Sequence, residues 1–255
     1  MPNARVVKVL FPKPDRSPNG IGTNYKDDIK GLFGQPDPTQ WHTWFEDFDY
    51  ADIVGKLILV KVGTGTAVTT TGVDGGVITI TNSAAGSDAT SVNALTSSFA
   101  PATNRSLIAE CKAQVDDVTN AHFGFSLCPA ASTPFTYTEG IAIRKIAGAN
   151  TFTIEVKKAG TTSATLAFNS AGVTAATQFT VGFAYKGVQT TAGQEFVFKL
   201  DLNDGNGPRY QSLFVPTANV PTALLGASVG VLNNTAVARV ALVDYMFVAK
   251  DRFYQ

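Results

Sequence analysis

The sequence predicts an all-β domain, a sandwich of two antiparallel sheets, preceded by an extended N-terminal arm. Three observations predict it. From Trp41 onward, short runs of β-branched and aromatic residues recur at turn-sized intervals. Between them stand good turn formers: Asp74-Gly75-Gly76, Gly148-Ala149-Asn150, Lys158-Ala159-Gly160, Asp204-Gly205-Asn206-Gly207 and Asn233-Asn234. Several runs alternate with period two, as half-buried strands do. No segment sustains a 3.6-residue apolar period with caps at both ends, so helix is expected to be scarce. Many short strands joined in this way read as a sandwich or barrel.

The arm comprises residues 1–40. Pro2, Pro12, Pro14, Pro18, Pro36 and Pro38 punctuate it, with Gly20, Gly22, Gly31 and Gly34 between them. Proline removes backbone donors and fixes φ, so such a segment runs extended over a surface instead of building a core. Within it, Val6, Val7, Val9, Leu10 and Phe11 form an apolar run, interrupted by Lys8, that suits one strand on this molecule or on a neighbour. A plain tail is the alternative.

The domain occupies residues 41–255. Trp44, Phe45, Phe48 and Tyr50 are expected to anchor its first strand, with the intervening acids facing solvent or the arm. Strands follow at 57–62, 67–71 and 77–81; Val77-Ile-Thr-Ile-Thr81 comes directly after a glycine turn, which keeps the Thr/Ser/Gly-rich stretch 63–100 inside the domain. Strands at 106–115 and 121–128 are joined around Asp116 to Asn120. The next are expected at 139–146, 151–157 and 164–168. At 178–186, Phe179, Val181, Phe183 and Tyr185 oppose Thr180, Gly182, Ala184 and Lys186. At 194–203, Phe196, Phe198, Leu200 and Leu202 oppose Glu195, Lys199 and Asp201. Strands at 209–214, 226–232 and 236–248 complete the series. The last two are read as a hairpin closed at Asn233-Asn234, because Asn tolerates positive φ. In the final strand both parities are apolar: Val240, Leu242 and Met246 on one side, Ala241, Val243, Tyr245 and Phe247 on the other. Such a strand is covered on both faces.

Composition bounds the function. A chain of 255 residues buries roughly 70–75% of the surface its unfolded form exposes, enough for a self-sufficient core. Lys plus Arg and Asp plus Glu each total 20, leaving no global field for nucleic acid or anionic lipid. No run of about 18 apolar residues predicts a membrane helix, and the N-terminus does not read as a signal peptide. Cys111 and Cys128 are expected to be free thiols. With 106–115 and 121–128 paired as a hairpin, Cys111 falls near Phe125 and Cys128 near Ile108, on opposite faces and beyond disulfide reach. That suits assembly in a reducing cytoplasm.

The densest polar constellation is Trp41-His-Thr-Trp-Phe-Glu-Asp-Phe-Asp-Tyr-Ala-Asp52. Its Asp47, Asp49 and Asp52 resemble the E-x-D-x-x-E strand of the family sixteen glycosidases. Two carboxylates at a sugar bond must share a strand face inside a cleft. Here all three are the shorter Asp and lie at the domain's entry, so no catalytic role is assigned. Asp201, Asn203, Asp204 and Asn206 carry oxygens suited to calcium but lack EF-hand spacing, and read as a hairpin turn. His42 and His122 are too few for a histidine metal site, and His122 is placed at the surface. No catalytic, cofactor-binding or metal-binding residue is assigned, and no cofactor is expected.

A buried closing strand with Val243-Asp244-Tyr245, a trailing Arg252 and a domain-start Phe48-Asp49 resembles the concanavalin A-like lectin/glucanase jelly roll, in the form seen in bacteriophage structural proteins. Over about residues 41–252 the resemblance implies a non-enzymatic virion protein. It would be a capsid decoration or capsid-associated subunit, assembled in the host cytoplasm, forming homo-oligomers and contacting other virion proteins through the arm and the sheet surface. The competing implications are a host-adhesion module binding glycan through Trp41, Trp44 or Tyr137, and a glycosidase using the acidic triplet.

Overall fold

Alternation decides which side chains of each strand are dry, and it sorts the strands into two layers. The computed structural model describes residues 41–49, 55–70, 76–149, 151–169 and 172–252. The expected arm, with Val6, Val7, Val9, Leu10 and Phe11, lies outside the described residues. Fifteen strands are described in chain order: β1 Trp41–Glu46, β2 Leu57–Val62, β3 Thr66–Thr70, β4 Val77–Thr81, β5 Ala89–Ala94, β6 Leu107–Val115, β7 Ala121–Cys128, β8 Gly140–Lys145, β9 Thr151–Lys158, β10 Thr161–Asn169, β11 Phe179–Thr190, β12 Gly193–Asp201, β13 Arg209–Val215, β14 Gly226–Asn233 and β15 Val240–Asp251. The first sheet runs β13-β12-β11-β6-β15-β4-β3, with β1 also paired to β15. The second runs β10-β9-β8-β7-β14-β5-β2. Every described pairing is antiparallel.

Between the sheets lies one apolar core. Phe179, Val181, Phe183 and Tyr185 of β11 face Phe123, Phe125 and Leu127 of β7 across it, as their alternation requires. Phe179 sits edge-on to Phe123, ring centroids 5.1 Å apart, and to Phe152 at 5.5 Å, the geometry that the aromatic quadrupole favours.

Three expectations are corrected. β14 and β15 are not a hairpin: β14 lies between β5 and β7 in the second sheet, and β15 lies between β6 and its neighbours β4 and β1 in the first. Asn233 does not close a turn between them. Its buried amide donates to the carbonyls of Ser83 and Ala85 and accepts from Asn82, so it pins a crossover. Likewise β6 and β7 belong to opposite sheets. Cys111 and Cys128 are both free and buried, as expected, but they are separated by the sandwich itself and not by the two sides of one hairpin.

The faces of β15 are also reassigned. A register shift between Val243 and Tyr245 against β6 marks a bulge at Asp244, whose carboxylate meets Lys112 Nζ at 2.5 Å. One extra residue reverses the parity beyond it. Ala241, Val243, Met246 and Val248 therefore face the core together, while Tyr245, Phe247 and Ala249 face outward. At the same point β4 ends its pairing and β1 takes its place beside β15.

β5 was not anticipated. Its sequence, Ala89-Thr-Ser-Val-Asn-Ala94, holds a single large apolar residue, yet every position is buried. The inward side chains include Val92 and Ala94. Outward-facing Asn93 is covered by a loop whose Ala130 and Ser132 carbonyls accept from its side-chain amide.

Candidate functional site

The described part of the acidic stretch after β1 lies in a loop and not along a strand. β1 ends at Glu46, a buried residue whose Oε1 accepts from the Phe48 backbone N–H at 3.2 Å and whose Oε2 lies 3.7 Å from Lys56 Nζ. Phe48 adopts φ +57° and is buried in the core. Its backbone lies so close to Gly76 that a Cβ there would stand 2.3 Å from the Phe48 carbonyl carbon. Phe48 is thus the anchor expected of it. Phe45 is not, because its side chain is exposed, though its ring lies 5.9 Å from that of Tyr245. Asp47 and Asp49 follow in a loop outside any strand, Asp49 exposed, and Asp52 and Tyr50 lie outside the described residues. A general acid and a nucleophile need to project from one strand face, and Asp47 and Asp49 do not.

The second sheet carries a built polar centre on its outer face. Glu155 of β9 accepts from Arg144 Nη2 at 2.7 Å, Thr162 Oγ1 at 2.8 Å and Tyr137 Oη at 2.9 Å, and Lys157 Nζ lies 3.3 Å away. Burial pushes the Glu155 carboxyl up, but Thr162, Arg144, Tyr137 and Lys157 outweigh it and hold its pKa below the ordinary value. The Tyr137 hydroxyl goes the other way, raised far above its usual range by burial and by the neighbouring Glu155 charge. Lys157 Nζ stands 4.7 Å above the Tyr137 ring.

Tyr137 arrives on the loop 129–139, which lies over this face. Gly124 of β7 makes the approach possible: a Cβ there would lie 2.5 Å from Pro134 Cβ and 3.1 Å from the Phe135 ring. Beside it, Cys128, Tyr137 and Ala142 form a small apolar cluster. Burial raises the Cys128 thiol to about 11.

Of the proposed sugar-stacking aromatics, Trp41 and Tyr137 are buried and Trp44 packs against the core; the exposed rings among the described residues are Phe45, Tyr210 and Phe214. Asp201 and Asp204 accept from the backbone N–H groups of Asn203 and Asn206, forming the expected turn between β12 and β13. Among the described residues, no three His, Cys, Asp or Glu side chains are placed to share a metal ion. His122 is half-buried, not a plain surface residue: its Nδ1 accepts from Ala147 N–H at 3.4 Å, and burial lowers its pKa.

Sequence reasoning missed the Glu155 centre, because its partners come from two neighbouring strands and a loop. It also placed Lys199 on an unremarkable polar face. In the structure Lys199 Nζ lies 3.1 Å from Glu110 Oε2 with neither side chain exposed. The one available signal was Gly182, which lies beside both in the register and leaves room for their side chains to meet.

No family model and no curated protein matches the chain. Solved structures do. An endo-1,3-beta-glucanase from Streptomyces sioyaensis is 14% identical, with a TM-score of 0.58 over 85% of this chain and 99% of its own. Lectin II from Ulex europaeus is 13% identical, with a TM-score of 0.53 over 82% and 98%. The CBM2 module of the evolved Dit of Lactobacillus casei BL23 phage J-1 is 10% identical, with a TM-score of 0.53 over 85% and 99%. At such identities the likeness establishes architecture alone. With its two antiparallel sheets, the chain has the concanavalin A-like lectin/glucanase jelly-roll fold.

Proposed function

We propose that this chain is a non-catalytic structural subunit of a bacteriophage particle, a capsid decoration or capsid-associated protein that assembles with copies of itself and with other virion proteins. The observation that carries this reading is where its apolar surface lies. Edge strands β2, β3 and β13 each expose large apolar side chains, namely Val62, Val68, and Tyr210 with Phe214. An edge strand presents backbone donors and acceptors, and one that also presents apolar side chains is suited to pairing with another chain. The test is a mass-spectrometric inventory of purified virions, followed by localisation in the particle map. Stoichiometric presence with sheet-edge contacts is the expected result; absence from mature particles overturns the reading.

A second reading, glycan binding, is favoured by the exposed Tyr210 and Phe214 rings, which stand four residues apart and so on one face of β13, since aromatic faces stack on sugars. Among the compared structures, one is a lectin and another is named a CBM2 module of a phage protein. A glycan array probed with the full chain separates the two: saturable binding lost in Tyr210→Ala supports adhesion, and no binding supports the structural role.

A further inference from the structure

We propose that the corner of the sandwich where loops 63–65 and 82–88 cross between the sheets is a calcium site, with Asp88, Asn82 and Thr90 as its side-chain ligands. Alternation turns these residues inward. Asp88 and Thr90 share the parity of Val92 and Ala94, the core-facing positions of β5, and Asn82 shares that of Ile78 and Ile80 in β4. Both apolar rows therefore run into polar residues at this corner, and these stay dry: Asn82 is 2% exposed, Asp88 8% and Thr90 0%.

Three oxygens there have no hydrogen-bond partner among the described residues, namely Asp88 Oδ2, Asn82 Oδ1 and Thr90 Oγ1. Only Thr90 has a proton to offer, so the three cannot satisfy one another. A buried carboxylate oxygen without a donor is costly, and a positive group relieves that cost. Lys61 directs its ammonium to the Gly65 carbonyl instead, at 3.4 Å.

The oxygens converge. Asn82 reaches from the first sheet to the second, its Nδ2 3.0 Å from the carbonyls of Asp88 and Val231, which sets the oxygen of the same amide beside the Asp88 segment. A Cβ on Gly65 would stand 1.8 Å from Thr90 Oγ1 and 2.8 Å from the Thr81 carbonyl oxygen, so those two oxygens are at most about 4.6 Å apart. Calcium holds its oxygens at about 2.3–2.6 Å, which allows two ligands to stand up to about 5 Å from each other. A Cβ on Gly63 would lie 2.1 Å from Asp88 Oδ2. Both glycines of Gly63-Thr64-Gly65 thus bring bare backbone against the oxygens, where a side chain would intrude on them.

A carboxylate, an amide carbonyl, a hydroxyl and a main-chain carbonyl form an all-oxygen set, with no nitrogen or sulfur to attract a transition metal. With one carboxylate it is not a cluster of acids, and its low charge is that of a weak calcium site. Calcium bound there would tie β4, β5 and loop 63–65 together where the chain passes twice between the sheets. The inference is independent of any virion or glycan role.

The test takes the full chain, dialysed against EDTA, titrates it calorimetrically with CaCl2 and melts it with and without about 10 mM of the salt. One saturable site with Kd of about 0.1–1 mM is expected, and a Tm raised by about 3–8 °C. In EDTA, Asp88→Asn should melt no lower than the parent, because it removes a buried charge; in calcium it should melt below the parent. Thr90→Val, close in shape, should lose most of the calcium shift. Absence of both heat and shift in the parent would assign the three oxygens to buried water only and overturn the proposal. A calcium shift undiminished in either variant would place binding elsewhere and overturn it equally.

Discussion

Glu155 shows how one carboxylate organises a loop. Three side chains donate to it, a lysine stands beside it, and its folded pKa is held below the ordinary value. A depressed folded pKa contributes stability that is fully present above the unfolded value, near about 4.3, and is lost as pH falls through the folded one. Glu155→Gln should therefore cost about 1–3 kcal/mol in urea unfolding at pH 7 and should flatten the loss of stability between about pH 5 and pH 3; an unchanged acid limb would show that the carboxylate's charge is not what its partners hold. Glu139 acts in the same direction: burial raises it, but the backbone N–H groups of Ala223 and Thr222 prevail and lower its pKa. The two thiols behave oppositely. Burial raises Cys111 well above a free cysteine, with the Asp244 and Glu110 charges adding to the effect, and lifts Cys128 to about 11. Because the thiolate is the reactive form, a thiol reagent at pH 8 should label neither in the native protein and both in guanidinium. Rapid native labelling of Cys128 would show that the 129–139 loop opens.

At the level of elements, loop 129–139 depends on Gly124, where any side chain meets Pro134 within 2.5 Å. Gly124→Leu should displace the loop and lower stability by about 1–3 kcal/mol, and native Cys128 labelling should accelerate with it. A variant as stable and as unreactive as the parent would mean that the loop is not held down by this contact. The elements also show why some of this architecture was legible and some was not. β11 and β12 announce themselves because large aromatics alternate with small or polar residues, and the faces read from Phe179 to Tyr185 are the faces found. β5 stays hidden because periodicity reports burial only when one face is wet; Ser91 and Asn93 are buried on its outer face, so its polar and apolar positions carry no contrast. In β15 the pattern was visible but misassigned, since one extra residue at Asp244 reverses parity without leaving a proline or glycine to mark it. The Glu155 centre was illegible for a different reason. Strand pairing and a covering loop bring Tyr137, Arg144 and Thr162 together, and a hairpin read as two separate strands gives no register for doing so.

For the whole molecule, far-UV circular dichroism should be β-dominated, and helix above about a fifth of the residues would contradict the described architecture, since ordinary mixed domains carry about a third. The order of strands has a further consequence in time. β14 and β15 are the last two described strands, yet each is central in its sheet: β14 joins β7 to β5, and β15 joins β6 to β4. During synthesis each layer therefore waits as two unjoined halves, with unpaired edges on either side of a gap, until β14 and β15 emerge from the ribosome. Closure is a late event that draws on contacts distant in sequence, which makes folding slow and leaves nascent chains prone to pairing with one another. A chain ended at Arg239, lacking only β15, should be recovered as aggregate with no cooperative thermal transition, although it retains fourteen of the fifteen described strands. A soluble, cooperatively melting product would mean that β4 and β6 can find each other without their bridge. β15 is thus a keystone, and the fold exists only once this strand has been made.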